Sequence, residues 1–194
     1  MRIRRHRSLV RFATGATLLA VGATAHGSGF ALLEQSGSRL GTAFAGTAAA
    51  ADDATTIFYN PAGMVRLERT EVAAAISGVA ISSEFRNRNS QPALGQPLGV
   101  EGGDAGDWNP LAAAYVAVPI TEGLAAGFAF NVPFGLKLEY DDDWMGRFQS
   151  LESEIKTYNF NPALAFRLNE HMSLGFGLNY QRMQAQLTNA VNYT

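Results

Sequence analysis

Histidines, clustered aspartates and glycine-rich turns are the residues here that could carry catalysis, metal binding or phosphate binding, and none is spaced for it. The three histidines, His6, His26 and His171, are too scattered for a metal site or a histidine-based triad. Asp141-Asp142-Asp143 lacks the spaced oxygen ligands and the glycine of a calcium loop, and reads as a solvated loop. The glycines come without a P-loop lysine or the order of a dinucleotide fingerprint. No cofactor is expected, and the chain does not read as an enzyme. What remains is a path rather than a reaction. Asn131-Val132-Pro133-Phe134-Gly135-Leu136 interrupts a strand pattern with a proline and a glycine, the residues that disrupt a ladder. Ala48 to Met64, AAAADDATTIFYNPAGM, forms a compact knob: Asp52 or Asp53 can cap a short helix through Thr55 to Tyr59, and Asn60-Pro61 ends it, because proline lacks an N–H and disfavours the α region before it.

The elements that must position these stretches begin with a leader. Met1 to Phe12 carries five arginines and no acid, an apolar segment follows, and Ala23-Thr24-Ala25 closes it. Residues 1–25 are therefore expected to be a signal peptide, too short in its apolar run to cross a bilayer as a helix. Without them the chain keeps ten cations against seventeen acids, a net charge of −7. An acidic exported chain suggests no nucleic-acid partner. With no cysteine it is not a disulfide-stapled scaffold either.

Residues 26–66 are rich in Gly, Ala, Ser and Thr and are read as a plug. Ser36 or Ser38 can cap a helix towards Phe44, with Gly37, Gly41 and Ala45 letting it lie close to a wall. Residues 67–194 then alternate as strands. Thr70 to Phe85 shifts its apolar phase at Gly78, as a bulge would cause. Residues 86–109 form a long loop, and Leu111 to Val118 is a strand without clear phase. Leu124 to Val132 alternates large with small residues. After a second long connection, 133–154, come a strand at Thr157 to Leu168 and a fifth from Ser173.

The polar face of strands three to five holds Gly, Ala, Ser, Thr and Asn with hardly a charge. A soluble sandwich would expose that face and charge it. The expected fold is therefore all-β, a transmembrane antiparallel β-barrel with a greasy side towards lipid and a small-residue lumen around a mostly helical plug. Five strands leave open edges, which lipid does not tolerate. The chain is expected to be the N-terminal part of a larger barrel.

Gly29-Phe30-Ala31-Leu32, Gly41-Thr42-Ala43-Phe44-Ala45-Gly46, Ala51-Asp52-Asp53-Ala54 and Asn60-Pro61-Ala62, in that order behind a leader, resemble the N-terminal hatch of the FadL/TodX outer-membrane channels. The resemblance covers residues 27–194. It implies a fourteen-stranded barrel in the outer membrane of a Gram-negative bacterium and passive uptake of long-chain fatty acids or related hydrophobic compounds. Partners would be those compounds, outer-membrane lipids and the barrel-assembly machinery, with the channel a monomer. It further implies a hatch motif at Asp52, Asp53, Asn60, Pro61 and Ala62, and a lateral opening where Asn131, Pro133, Phe134 and Gly135 kink the third strand. A buried fatty carboxylate would need a cation or hydrogen-bonding partner. Arg182 is the candidate, with Phe134 lining the path, if the phase of strand five slips near Gln181. A polar-solute porin or a structural, adhesive barrel are the alternatives; a porin would need a charged, open lumen.

Overall fold

Alternation of large and small side chains builds one antiparallel sheet, described in a computed structural model over residues 31–92, 95 and 97–192. The leader and His26 lie outside these residues. The chain from Leu32 onward forms one compact unit. Its strands are β1 (Glu71–Ala80), β2 (Trp108–Thr121), β3 (Leu124–Asn131), β4 (Gly135–Glu139), β5 (Glu152–Asn169), β6 (Met172–Gly177) and β7 (Tyr180–Thr188). β1 pairs with β2 and β2 with β3; β5 takes β3 and β4 along one side and β6 and β7 along the other, all antiparallel. β3 and β4 are thus two halves of one crossing, as are β6 and β7. Among the described residues the sheet has five crossings, two of them interrupted.

One face of this sheet is small and covered. Ala113, Tyr115 and Ala117 of β2, Ala125 and Ala129 of β3, and Ala163 and Ala165 of β5 pack on Ala54, Ile57, Met64, Val65 and Leu67 of the N-terminal segment. Alanine at these positions lets a chain segment approach the sheet closely. At Gly127 even a methyl group would meet Met64 Sδ at 2.5 Å. The opposite face is bare hydrocarbon: Phe128, Leu164, Phe166, Leu174 and Phe176 are 38–63% exposed. So large an apolar surface marks a lipid or protein contact.

Its height can be estimated along β5. From Leu168 to Tyr158 the outward positions are apolar or aromatic, and at Lys156, Glu154 and Glu152 they become charged. Ten residues at ~3.4 Å each span ~34 Å along the strand. A tilt of about 40° reduces that to ~25 Å, the height of a barrel's lipid-facing band. At the charged end of the band the rings of Phe130, Tyr158, Phe160 and Tyr180 cluster with centroids 5.3–6.4 Å apart, as in an interfacial girdle.

Several local expectations are corrected. No bulge occurs at Gly78: β1 and β2 stay in one register from Glu71 opposite Ala117 to Ala80 opposite Trp108. Gly78 faces outward, where a Cβ would touch the Trp108 ring at 3.0 Å, so the indole covers it and Val79 turns inward. No helix runs from Ser36 to Phe44. There is a single 3-10 turn at Leu40–Thr42, after which Ala43 and Phe44 adopt φ of 48° and 61° and break it. Gly37 and Gly41 face open space, not a wall. The second long connection contains β4 and the start of β5, leaving 140–151 as loop.

Candidate functional site

The site is the interruption of the third crossing and the N-terminal segment lying against it. Asn131 of β3 sits opposite Asn159, and Gly135 of β4 opposite Lys156, so four steps along one strand answer three along its partner. One additional residue is therefore inserted at Val132-Pro133-Phe134. This frees carbonyls that a ladder would have used, and each finds a partner. Phe134 O accepts from Thr157 N at 2.9 Å and Thr157 Oγ1 at 3.2 Å. Pro133 O accepts from Leu32 N at 2.9 Å, and Val132 O from Gln35 Nε2 at 3.1 Å. The N-terminal segment is thus hydrogen-bonded to the break itself. Two further bonds hold it there: Tyr115 Oη to Gln35 O at 2.8 Å and Ser77 Oγ to Glu34 O at 3.1 Å.

The predicted hatch residues form the rest of this segment. Helix α1 (Thr56–Tyr59) has Thr55 as its N-cap with no side-chain cap bond, so neither aspartate caps it. Asp53 instead accepts from Thr55 N at 2.9 Å and Oγ1 at 2.5 Å, just ahead of the helix, and from Ser38 Oγ at 2.7 Å. Asp52 pairs with Arg39. Asn60 ends α1 and its Nδ2 donates to Ala48 O at 2.8 Å, while Pro61 opens a 3-10 helix, Pro61–Arg66, where its missing N–H costs nothing. That turn rests on β6: Ser173 Oγ donates to Ala62 O at 3.1 Å, and Arg167 reaches Val65 O. Arg167 therefore holds the N-terminal segment at this end of the sheet, where two open clefts of about 470 and 500 Å³ flank it.

Burial works against the charge of Asp53, but the bonds from Thr55 and Ser38, with Arg39 nearby, together hold its carboxyl below the usual range. Burial also pushes the Tyr59 phenol up to about 12. A depressed carboxylate contributes stability above its unfolded pKa of about 3.9, lost as pH falls through the lower folded value. Hydrogen-exchange protection at Thr55 is expected to collapse below about pH 4. In Asp53→Asn it should be weak at every pH; unchanged acid behaviour in that variant would dismiss the carboxylate as the cause.

Arg182 does not enter the lumen. β6 and β7 hold one common register against β5, Leu164 opposite Phe176 and Phe160 opposite Tyr180, so the expected phase slip near Gln181 is absent. Arg182 lies opposite Tyr158 on the outward face, level with the charged-end edge of the aromatic girdle, because directly paired residues of an antiparallel ladder share a face. Phe134 is half-buried within the break, and Asn131 is fully buried.

The long connections hold residues to which the sequence assigned no role. Trp144 stacks on Tyr140 at 3.9 Å and meets Phe85 edge-on at 5.5 Å. Arg147, 8% exposed, donates to Pro97 O at 2.7 Å, Leu98 O at 3.2 Å and Trp144 O at 3.1 Å, tying the two long connections together. A lone arginine in a loop carries no periodic signal, so only the fold reveals it. The Asp141 and Asp143 carbonyls accept from Trp144 N and Val100 N at 3.1 Å within this lock.

An antiparallel wall with a lipid-height outer band and a small-residue face covered by a chain segment defines an outer-membrane β-barrel protein. Residues 18–194 match the family described as outer membrane protein transport protein (OMPP1/FadL/TodX), and the chain belongs to that family, whose members are transport proteins and not enzymes. It is similar to outer membrane protein P1 of Haemophilus influenzae (strain ATCC 51907 / DSM 11121 / KW20 / Rd), 34% identical over 89% of this chain and 39% of that protein. With the long-chain fatty acid transport protein of Escherichia coli (strain K12) it shares 29% identity over 82% of this chain and 35% of the other. The crystal structure of a Pseudomonas aeruginosa FadL homologue superposes with a TM-score of 0.65 at 26% identity, covering 82% of this chain and 39% of that one. The chain thus spans less than two fifths of the length of these relatives. It is an outer-membrane protein.

Proposed function

We propose that this chain forms the hatch and first crossings of a channel for passive uptake of long-chain fatty acids or related hydrophobic compounds. The N-terminal segment, residues 26–66 of the expected organisation, acts as the stopper. The interrupted third crossing, at Asn131, Pro133, Phe134 and Gly135, serves as a lateral exit. The observation that carries the reading is the pair of break carbonyls, Pro133 O and Val132 O, held by Leu32 and Gln35 of that stopper. A stopper bonded to the exit can close and release it in one movement.

Thermodynamics favours a sideways route for such cargo. Each methylene buried is worth ~0.8 kcal/mol, so an acyl chain of about fifteen gains ~12 kcal/mol by leaving water. Passage through an aqueous pore would return that gain; passage through the wall into the bilayer would keep it. The test is mass spectrometry of acyl chains co-purifying with the full-length protein after detergent exchange. Stoichiometric acyl lipid is expected, whereas protein free of it that also fails to bind added hexadecanoic acid would dismiss the reading.

A further inference from the structure

Three side-chain atoms buried at the level of the break have no hydrogen-bond partner among the described residues: Gln35 Oε1, Asn131 Nδ2 and Asn159 Oδ1. Gln35 and Asn131 are fully enclosed and Asn159 is 3% exposed. An unpaired buried polar atom is destabilising, so three such side chains in one neighbourhood point to something they are there to bind. The amides are joined to one another and to the break. Asn159 Nδ2 donates to Asn131 Oδ1 at 2.8 Å and to Asn179 Oδ1 at 3.0 Å, and Gln35 Nε2 donates to the carbonyl of Val132, the residue after Asn131. This row of amides runs from the interruption of the third crossing to that of the fifth, where Asn161 Nδ2 donates to Leu178 O at 3.0 Å.

The free set is one amide donor and two amide oxygens, and none of these side chains carries charge. Reversing the three asparagine amides in concert would exchange the free donor and acceptor between Asn131 and Asn159 and leave the set the same. A carboxylate offers only acceptors; it would face two unpaired oxygens with no cation in the set, in an enclosed place where an ion is costly. A protonated carboxyl or a hydroxyl offers one donor and one acceptor, which matches Asn131 Nδ2 on one side and Asn159 or Gln35 on the other.

We propose that the Gln35, Asn131 and Asn159 amides form a head-group site that takes the uncharged, hydrogen-bonding end of an amphipathic passenger at the strand break. The proposal rests on the transport reading given above. Gln35 is both a ligand of the site and part of its cover, since its segment is bonded across the break through Leu32 N and Val132 O. A fatty acid enters the site as the neutral acid, having taken its proton from water, and returns the proton on release into the bilayer.

The test uses the intact protein in detergent with hexadecanoic acid, hexadecan-1-ol and hexadecane as competing probes. Asn131→Leu and Asn159→Leu keep the branched four-atom skeleton of the side chain, with somewhat more bulk, and remove the amide. Each is expected to lower the preference for the alcohol over the alkane by about tenfold, the equivalent of one hydrogen bond. A second measurement needs no variant: infrared spectra of carbonyl-labelled hexadecanoic acid bound to the wild-type protein at neutral pH should show the band of the protonated acid. An unchanged preference in folded variants, or a carboxylate band in the wild type, overturns the head-group site, as does binding of the acid and alcohol no tighter than the alkane. Failure of the wild-type protein to bind any of the three probes removes the transport reading instead.

Discussion

Deleting Pro133 alone is expected to abolish uptake of long-chain fatty acid while the barrel still assembles. The third crossing carries one residue more than β5 opposite, between Asn131 paired with Asn159 and Gly135 paired with Lys156. Removing one residue makes the count equal, and Gly135, Lys137 and Glu139 keep the face they already have, because the offset is confined to the break. The ladder from Leu124 to Glu139 can then close without a gap. If cargo leaves through that gap, closing it obliges the acyl chain to go back through water, at up to ~12 kcal/mol for a long chain. A loss of at least ~10-fold in cellular uptake of radiolabelled oleate is expected, even where only ~1.4 kcal/mol of that barrier is realised. Heat-modifiable migration in gels should remain, showing that the barrel has formed. Pro133→Ala keeps the additional residue and its carbonyl, so it is expected to lose far less. Uptake by the deletion at the wild-type rate would end the lateral-exit mechanism and leave an axial path.

Gly175→Val should unseat the proposed stopper. A Cβ at position 175 would stand 2.2 Å from Ala62 N and 2.7 Å from Pro61 C, and both are backbone atoms that no rotamer change can move. The Asn60-Pro61-Ala62 turn would have to lift from β6, losing the Ser173 bond to Ala62 O and straining the Arg167 bond to Val65 O. Overpacking of this kind costs ~1–3 kcal/mol, and a clash with main chain belongs at the upper end. The expected result in the full-length protein is a rise in single-channel current in planar bilayers, with new protease cleavage between Asn60 and Arg66. Gly127→Ala is the comparison: its clash is with the ends of Met64 and Ile57, which can turn aside, so its effect should be smaller. Wild-type current and cleavage in Gly175→Val would mean that the Asn60-Pro61-Ala62 turn does not rest on β6 in the assembled channel.

Alternation along a strand is local, since neighbouring side chains point to opposite faces whatever the chain does elsewhere. The greasy and small faces of β3 and β5 were therefore legible in the residues alone, as were the interruption at Pro133 and the helix end at Asn60-Pro61. β2 was not, because its apolar residues stand on both faces; pairing with β1 and β3 turns Leu111 and Tyr115 inward and Val116 and Val118 outward. Gly78 misled for the same reason. Its neighbours shifted phase without any insertion, because Trp108 on the next strand covers the place a side chain would fill.

Composition and spacing by themselves determined an exported, acidic, cysteine-free chain with lipid-suited strands, a segment of small residues before them and a proline break in the third. Only the tertiary structure decided which residues meet. The placing of Arg182 outside the lumen follows from the register of β7 on β5, and the bonding of Leu32 and Gln35 to the break from contacts about a hundred residues apart in sequence. So does the amide cluster, whose members come from the N-terminal segment and three crossings. Register and docking depend on hydrogen bonds between distant segments, and no periodicity within one segment encodes which partner it will face.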